Sequence, residues 1–431
     1  VIKRDELTER LQSEPMRLEL AALYGPDPAG LTTQIERWQH LAGLFAEQFP
    51  QHQTVRLFST PGRTEVGGNH TDHQQGRVLC AAVGLDIIAL ASPNLDGVIR
   101  LKSEGFARMD VIDLTNLDPV AAERGHSAAL IRGIAAAFAR RGYGIGGFDA
   151  YTTSSVPKGS GLSSSAAFEI LVATILDSLW NNASVSPVER AIIAQFAENQ
   201  YFGKPCGLMD QCGCSVGGFI AIDFLDPTRP LVLPINLDFS ATGYSLIITH
   251  TGGNHADLTD DYASIPRDMK KVAVLFGQPV LRTVDEALFW QRLPDLRGQV
   301  DDLALLRAIH FFQDNERVRL QAAALGDGDI DSFLSLVKAS GASSRTQLQN
   351  VYSWRYPLEQ PISLALSRSE QILAGRGACR VHGGGFAGTI QAFVPTDLAD
   401  RYLAAMRSLF GADAPWPMRI RSIGSAELAR S

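Results

Sequence analysis

Through residues 5–48, apolar side chains recur three and four apart in LTERLQ, LELAALYG and LTTQIERWQHLAGLFAEQF, which predicts helices broken at Pro26 and Pro28. From Val55 the texture changes to short apolar runs, VRLFST, VLCAAVGLDIIALAS and GVIRLKS, punctuated by Gly, Pro and Asn as strands are. Residues 126–141 (HSAALIRGIAAAFARR) predict a helix, FDAYTTSS a strand, and SSAAFEILVATILDSLW a helix entered directly from a Gly/Ser loop. Ser186, Pro187 and Glu189 supply a capping serine, a proline at the first helical position and a glutamate at the third, opening a helix that runs to about Phe202. After Gly217 and Gly218 come the strands FIAIDF and YSLIITHT, and the Pro-bearing LDPTRPLVLP between them marks a domain boundary within residues 225–245. The expected organisation is a helical leader over residues 1–45, a mixed α and β domain over 46–230 and a second over 231–431, with no heptads, low-complexity tract or solenoid repeat.

A length of 431 residues suits two or three domains, and 45% apolar with 20% charged residues is ordinary globular composition. No apolar run approaches a membrane span. With 39 Lys and Arg against 46 Asp and Glu, the net charge of −7 offers no broad basic face, so a nucleic-acid partner is not expected. The five cysteines, Cys80, Cys206, Cys212, Cys214 and Cys379, are odd in number, and their C-x5-C-x-C cluster fits no common zinc spacing. The opening VIKRDELTERLQ lacks an apolar export segment, so the reducing cytoplasm is the expected compartment, and a monomer the expected state.

Five segments carry candidate chemistry. GYGIGG at 142–147 matches the dinucleotide pattern G-x-G-x-x-G in the wrong context, after a helix and before a strand, so it reads as a helix-ending turn. PKGSGLSSSAA at 157–167 places glycines and hydroxyls before a helix N-terminus; it is built like a phosphate cradle, although a serine-capped helix behind a loose loop has the same look. PGRTEVGGNHTDH at 61–73 gathers an arginine, carboxylates and histidines in a Gly-rich turn suited to a polar substrate, or else is a solvated turn. CGLMDQ at 206–211 sets Asp210 among small and apolar residues, as a base beside a cation or as a capping aspartate. VHGGGFAG at 381–388 holds more glycines than a hairpin requires.

In this order, PGRTEVGGNHTDH, PKGSGLSSSAA, CGLMDQ and GGGFAG resemble the galactokinases of the GHMP small-molecule kinase superfamily, from about Leu41 to the C-terminus. The resemblance implies an α+β fold of two domains, ribosomal-S5-like and then ferredoxin-like, with the active site in the cleft between them. It implies an ATP-dependent kinase that phosphorylates the anomeric hydroxyl of galactose or a related hexose with magnesium. By this similarity Asp210 is the catalytic base and Arg63 the cation beside it. Lys158, Gly159, Gly161, Leu162, Ser163, Ser164 and Ser165 hold the ATP phosphates, with Ser165 and Glu198 as magnesium ligands. Asn69, His70, Asp72, Gly207, Tyr262 (in HADLTDDY from His255), Gly384 and Gly385 border the sugar.

The departures from the family set further expectations. Where galactokinases typically read G-R-V-N-L-I-G-E-H-T-D-Y, this chain has Thr64 and Glu65 after Arg63, and Asn69 in place of the motif's glutamate, which in the family meets the C6 hydroxyl. A neutral amide there removes a negative charge, which favours a uronic acid or another modified hexose, unless Glu65 and His73 rebuild the pocket. Ala387 replaces a motif glycine, and Lys158 stands where a neutral residue is usual. A non-catalytic sugar sensor is the alternative of a different class; the complete G-L-S-S-S-A segment opposes it, and the H-T-D and M-D-Q segments oppose a mevalonate or homoserine kinase.

Overall fold

The computed structural model describes residues 1–157, 160–252 and 258–430. Its larger sheet has nine strands. The path runs Ile2–Lys3, Thr54–Gly67, Arg77–Pro93, Phe148–Ser154, Val98–Ser103 and Asp110–Asp113, and Phe219–Asp223 branches from Arg77–Pro93. Every pairing is antiparallel except that of Val98–Ser103 with Phe148–Ser154. Both faces are covered, which explains why the central strands read as nearly unbroken apolar runs. Leu57, Ile88 and Leu90 face the leader, whereas Phe58, Ala89 and Ala91 face the helices of the first domain, as the period of two requires.

The leader forms helices Leu7–Gln12, Glu14–Tyr24 and Pro28–Gln48, with the break at the expected prolines, and packs Trp38, Leu41 and Phe45 on the sheet. On the opposite face lie Ser127–Arg140, Ser164–Trp180, Pro187–Ala197 and Met209–Val216. Ser186 caps its helix by accepting from the Glu189 amide at 3.1 Å, and the helix runs on into one π-helical turn, Glu198–Phe202. Residues 142–147 link helix Ser127–Arg140 to strand Phe148–Ser154, with Gly142 at φ +78° ending the helix.

The second sheet is antiparallel in the order Ala378–His382, Thr389–Pro395, Tyr244–His250, Pro415–Met418. Helices Pro361–Leu373 and Ala399–Phe410 cover one face, and Phe333 of Ile330–Ser343 meets Phe393 on the other. Thr259–Val274, Glu286–Leu296 and Asp302–Gly326 build a helical lobe beside it. Two strands beyond residue 230 belong to the first sheet: Leu231–Ile235 pairs with Phe219–Asp223, and Ala426–Leu428 returns to pair with residues 57–59. The Pro-bearing segment therefore turns within that sheet before the chain crosses over. All five cysteines are free thiols, and no helix among the described residues is long and apolar enough to cross a membrane.

Candidate active site

Strand Thr54–Gly67 carries Arg63 into the space between the two sheets, where helix Met209–Val216 presents Asp210 in its first turn. Arg63 Nε and Nη2 both donate to Asp210 Oδ1, at 2.9 and 2.5 Å, and Nη1 donates to the Gly161 carbonyl at 2.5 Å. Ser163 donates its hydroxyl to Asp210 Oδ2. The guanidinium is buried, but the Asp210 side chain is 36% exposed, enough for a ligand to reach it. Burial would raise the Asp210 carboxyl, but the charge of Arg63 and the bonds from Ser163 and Arg63 outweigh it, and the group is held below its ordinary value.

The glycine–serine loop meets this pair through backbone. The Arg63 amide donates to the Leu162 carbonyl at 3.1 Å, and a Cβ on Gly62 would lie 2.7 Å from that same oxygen, which is why glycine stands there. Ser163 adopts a left-handed conformation (φ +58°) and precedes helix Ser164–Trp180, whose first turn holds Ser164 and the exposed Ser165. The first amides of a helix have no intrahelical acceptor and meet the positive end of its dipole, so this terminus, beside Asp210, is suited to an anion. Lys158, Gly159 and His255 lie outside the described residues. Beneath the loop, buried His382 bonds Thr64 Oγ1 at 3.0 Å and Thr389 Oγ1 at 2.9 Å; burial, then the charge of Arg63, lowers its pKa to about 3 and keeps it neutral.

Glu198, buried at the start of the π-helical turn, accepts from Lys204 Nζ at 3.1 Å and from Gln211 Nε2 at 2.8 Å. The same Gln211 nitrogen donates to Glu169 Oε2 at 3.0 Å. Glu169 is the residue that sequence reasoning missed here; its one signal was a carboxylate on the otherwise apolar run of its helix. Burial, reinforced by the charge of Glu198, raises its pKa well above the ordinary carboxyl value. Glu169 Oε1 and Gln211 Oε1 are buried without a hydrogen-bond partner.

On the other side of Arg63 lies the histidine-rich turn. Asp72 approaches Gly207 so closely that a Cβ there would lie 2.6 Å from Asp72 Oδ2. The buried ring of His70 bonds the Gly384 carbonyl at 2.9 Å; burial and the neighbouring His73 lower its pKa to about 4. Tyr262 donates to the Gly385 carbonyl at 3.0 Å, and its ring leaves no room for a side chain at Gly384, where a Cβ would sit 2.5 Å from Cε1. Asn69 is fully buried, and its carboxamide is engaged by protein: Nδ2 donates to Glu65 Oε1 and to the Gly383 carbonyl, both at 2.7 Å, and Oδ1 accepts from Asn350 Nδ2 at 2.6 Å. Asn69 thus braces the pocket wall instead of facing a ligand. Asn350, which no motif announced, also pins the glycine loop, because its carbonyl accepts from Phe386 N at 2.5 Å.

Comparison with known proteins falls on these same residues. The family model described as GHMP kinases N terminal domain matches residues 129–218, which hold Ser163, Ser165, Glu198 and Asp210. The galactokinase galactose-binding signature matches residues 43–93, which hold Arg63, Asn69, His70 and Asp72. The chain superposes on Lactococcus lactis galactokinase, solved in complex with galactose, with a TM-score of 0.76 at 26% identity, over 91% of this chain and 100% of that one. Methanococcus jannaschii mevalonate kinase (TM-score 0.59, 13% identity, 85% and 98% coverage) and a D-glycero-D-manno-heptose 1-phosphate kinase from Bacteroides thetaiotaomicron (0.58, 15%, 88% and 100%) share the fold. Two separate signatures and the whole two-domain fold converge on the residues gathered around Arg63: the chain carries the GHMP kinase N-terminal domain and the galactokinase galactose-binding signature on a fold similar to that of a galactokinase.

Proposed function

We propose that the protein transfers the γ-phosphoryl group of ATP to the anomeric hydroxyl of galactose or a closely related hexose. The observation that carries this reading is the Arg63–Asp210–Ser163 arrangement at the mouth of an open helix N-terminus. Phosphoryl transfer asks a protein mainly for positioning and charge stabilisation. Asp210 orients the sugar hydroxyl and takes its proton as the anomeric oxygen bonds to the γ-phosphorus and the bond to the ADP oxygen breaks. A carboxylate held below its ordinary pKa is a weak base, which suits a loose transition state in which the proton leaves late. Arg63 keeps that carboxylate ionised, and the amides around Ser163, Ser164 and Ser165 face the phosphates.

Magnesium fits the residues present. Glu198 and Glu169 share the Gln211 amide, and Glu169 Oε1 and Gln211 Oε1 are buried without partners, oxygen atoms of the kind a divalent cation takes. Glu198 and Ser165 would hold the ion, which when bound neutralises charge on the transferring phosphate. His70, Asp72, Gly207, Tyr262, Gly384 and Gly385 line the sugar side.

The test is ADP release from ATP with magnesium across galactose, galacturonate, glucuronate, N-acetylgalactosamine, arabinose and glucose, for the native chain and Asp210→Asn. Expected are turnover on galactose and a fall of about 10²–10⁴-fold in kcat in the variant. Binding of sugar and ATP with no turnover on any sugar would replace this reading with a sensor.

A further inference from the structure

Asn69 stands where the family motif places its glutamate, yet the buried amide cannot face a ligand, since both its hydrogens and one oxygen lone pair are already engaged. The orientation of the amide is fixed by those partners, because Nδ2 meets a carboxylate and a carbonyl while Oδ1 meets an amide nitrogen. The partner carboxylate is Glu65, and the two positions exchange the residue types of the motif quoted above: asparagine then glutamate in galactokinases, Glu65 then Asn69 here. Glu65 Oε1 accepts from Asn69 at 2.7 Å and from Arg380 Nη2 at 3.2 Å. Its Oε2 takes no hydrogen bond among the described residues and is not sealed from solvent, although the side chain as a whole is only 6% exposed.

The strand sets the distance from the chemistry. Residues 63–65 pair in regular register with Ala82, Ala81 and Cys80, and the bulges fall on either side of that stretch. Arg63 and Glu65 therefore emerge on one face about 7 Å apart, comparable to the span of a hexopyranose from its anomeric oxygen to its far hydroxyls. Burial outweighs the charges of Arg380 and Arg63 and the bond from Asn69, and with the charge of Asp72 it raises the Glu65 pKa to about 7; Arg63 and Asp72 are both members of the site.

We infer that Glu65, in place of residue 69, supplies the carboxylate that accepts a hydroxyl on the sugar edge remote from the anomeric carbon. The carboxyl group has moved four residues along the chain rather than been lost, so the pocket selects a neutral hexose over a C6 carboxylate. This reverses the uronate preference that Asn69 alone suggests. The inference rests on the sugar-kinase reading above.

The experiment measures kcat and KM for galactose, 4-deoxygalactose, 6-deoxygalactose and galacturonate with the native chain and Glu65→Gln. Expected is a loss of about ten- to a hundredfold in kcat/KM on galactose, mostly in KM, with little loss on whichever deoxy sugar lacks the recognised hydroxyl. The ratio of galacturonate to galactose turnover should rise at the same time. An equal loss on all four sugars would reduce Glu65 to a buried partner of Arg380 and overturn the inference. If Glu65→Gln does not fold, Glu65→Asp keeps a carboxyl group beside Arg380 but withdraws it by one methylene, and the same selective pattern is required of it. If the native chain phosphorylates none of the sugars, the kinase reading and this inference fall together; if it does and the substitutions act uniformly, the inference falls alone.

Discussion

Asp210 feels two opposing influences, since burial disfavours its charge and Arg63 favours it, and Arg63 wins. The folded-state pKa therefore lies below the ordinary carboxyl value, so the ionised carboxylate is present at neutral pH and is lost only as pH falls through that depressed value. We expect kcat to stay level from neutral pH down past the usual carboxylate range. In Arg63→Met the main downward pull is gone and burial remains, so the acid limb should move to higher pH while kcat falls; pH–rate profiles at saturating ATP measure both. A limb that stays in place would mean that Asp210 does not set the profile. Glu198→Gln should raise the magnesium concentration needed for half-maximal rate, read by titrating the metal at fixed ATP. At this scale the sequence was informative where the candidate site's residues sit in short contiguous motifs, as with Arg63, Ser163 and Asp210, which the structure brings together. It was silent on Asn350 and Arg380, which reach the pocket wall only through tertiary contact, and on the internal bonding of Asn69.

The leader helices hold to the sheet through one buried carboxylate as well as through apolar packing. Asp86, fully buried, accepts from Arg37 Nη1 at 2.6 Å and Tyr24 Oη at 2.6 Å on the leader, from Ser59 on the sheet, and from Arg421 Nη1 at 3.2 Å in the C-terminal segment. Burial would raise its pKa, but Arg37 and Arg421 outweigh that and lower it, so its contribution to stability is present at neutral pH and is lost as pH falls through the depressed value. Asp86→Ala leaves the fully buried Arg421 without its counter-charge, and a loss of about 3–5 kcal/mol is expected in urea unfolding. Arg37→Met spares that pair and should cost much less. Helices declared themselves through periodicity and caps, as at Ser186, whereas Pro28, expected as a break, opens its helix, and Ile2–Lys3 and Ala426–Leu428 are too short to carry an apolar pattern and exist because an edge of the first sheet was open to them.

Across the whole molecule, the two domains are fastened at both ends of the second. The chain leaves the first sheet after Leu231–Ile235, and Ala426–Leu428 returns to it alongside residues 57–59, with Glu427 paired to Arg56 at 2.5 Å. Between these fastenings the cleft is crossed by His310 to the Asn69 carbonyl at 2.9 Å, Arg380 to the Val66 carbonyl at 2.8 Å and Gln391 to Thr64 at 2.8 Å. An interface that takes its sheet strand from the far end of the chain cannot come apart without exposing Arg56, Arg421 and Asp86 together. We therefore expect a single calorimetric transition for the full chain. Truncation after Met418 removes that strand, the Glu427–Arg56 pair and Arg421 at once, and should leave a chain that no longer folds stably, seen as loss of the cooperative transition and of the near-ultraviolet circular dichroism signal. Arg56→Met, which disturbs only the last fastening, should lower the melting temperature while keeping one transition. Two resolved transitions in the full chain, with the upper one unmoved by Arg56→Met, would show instead that the domains are energetically separate and that the returning strand is an accessory to the first.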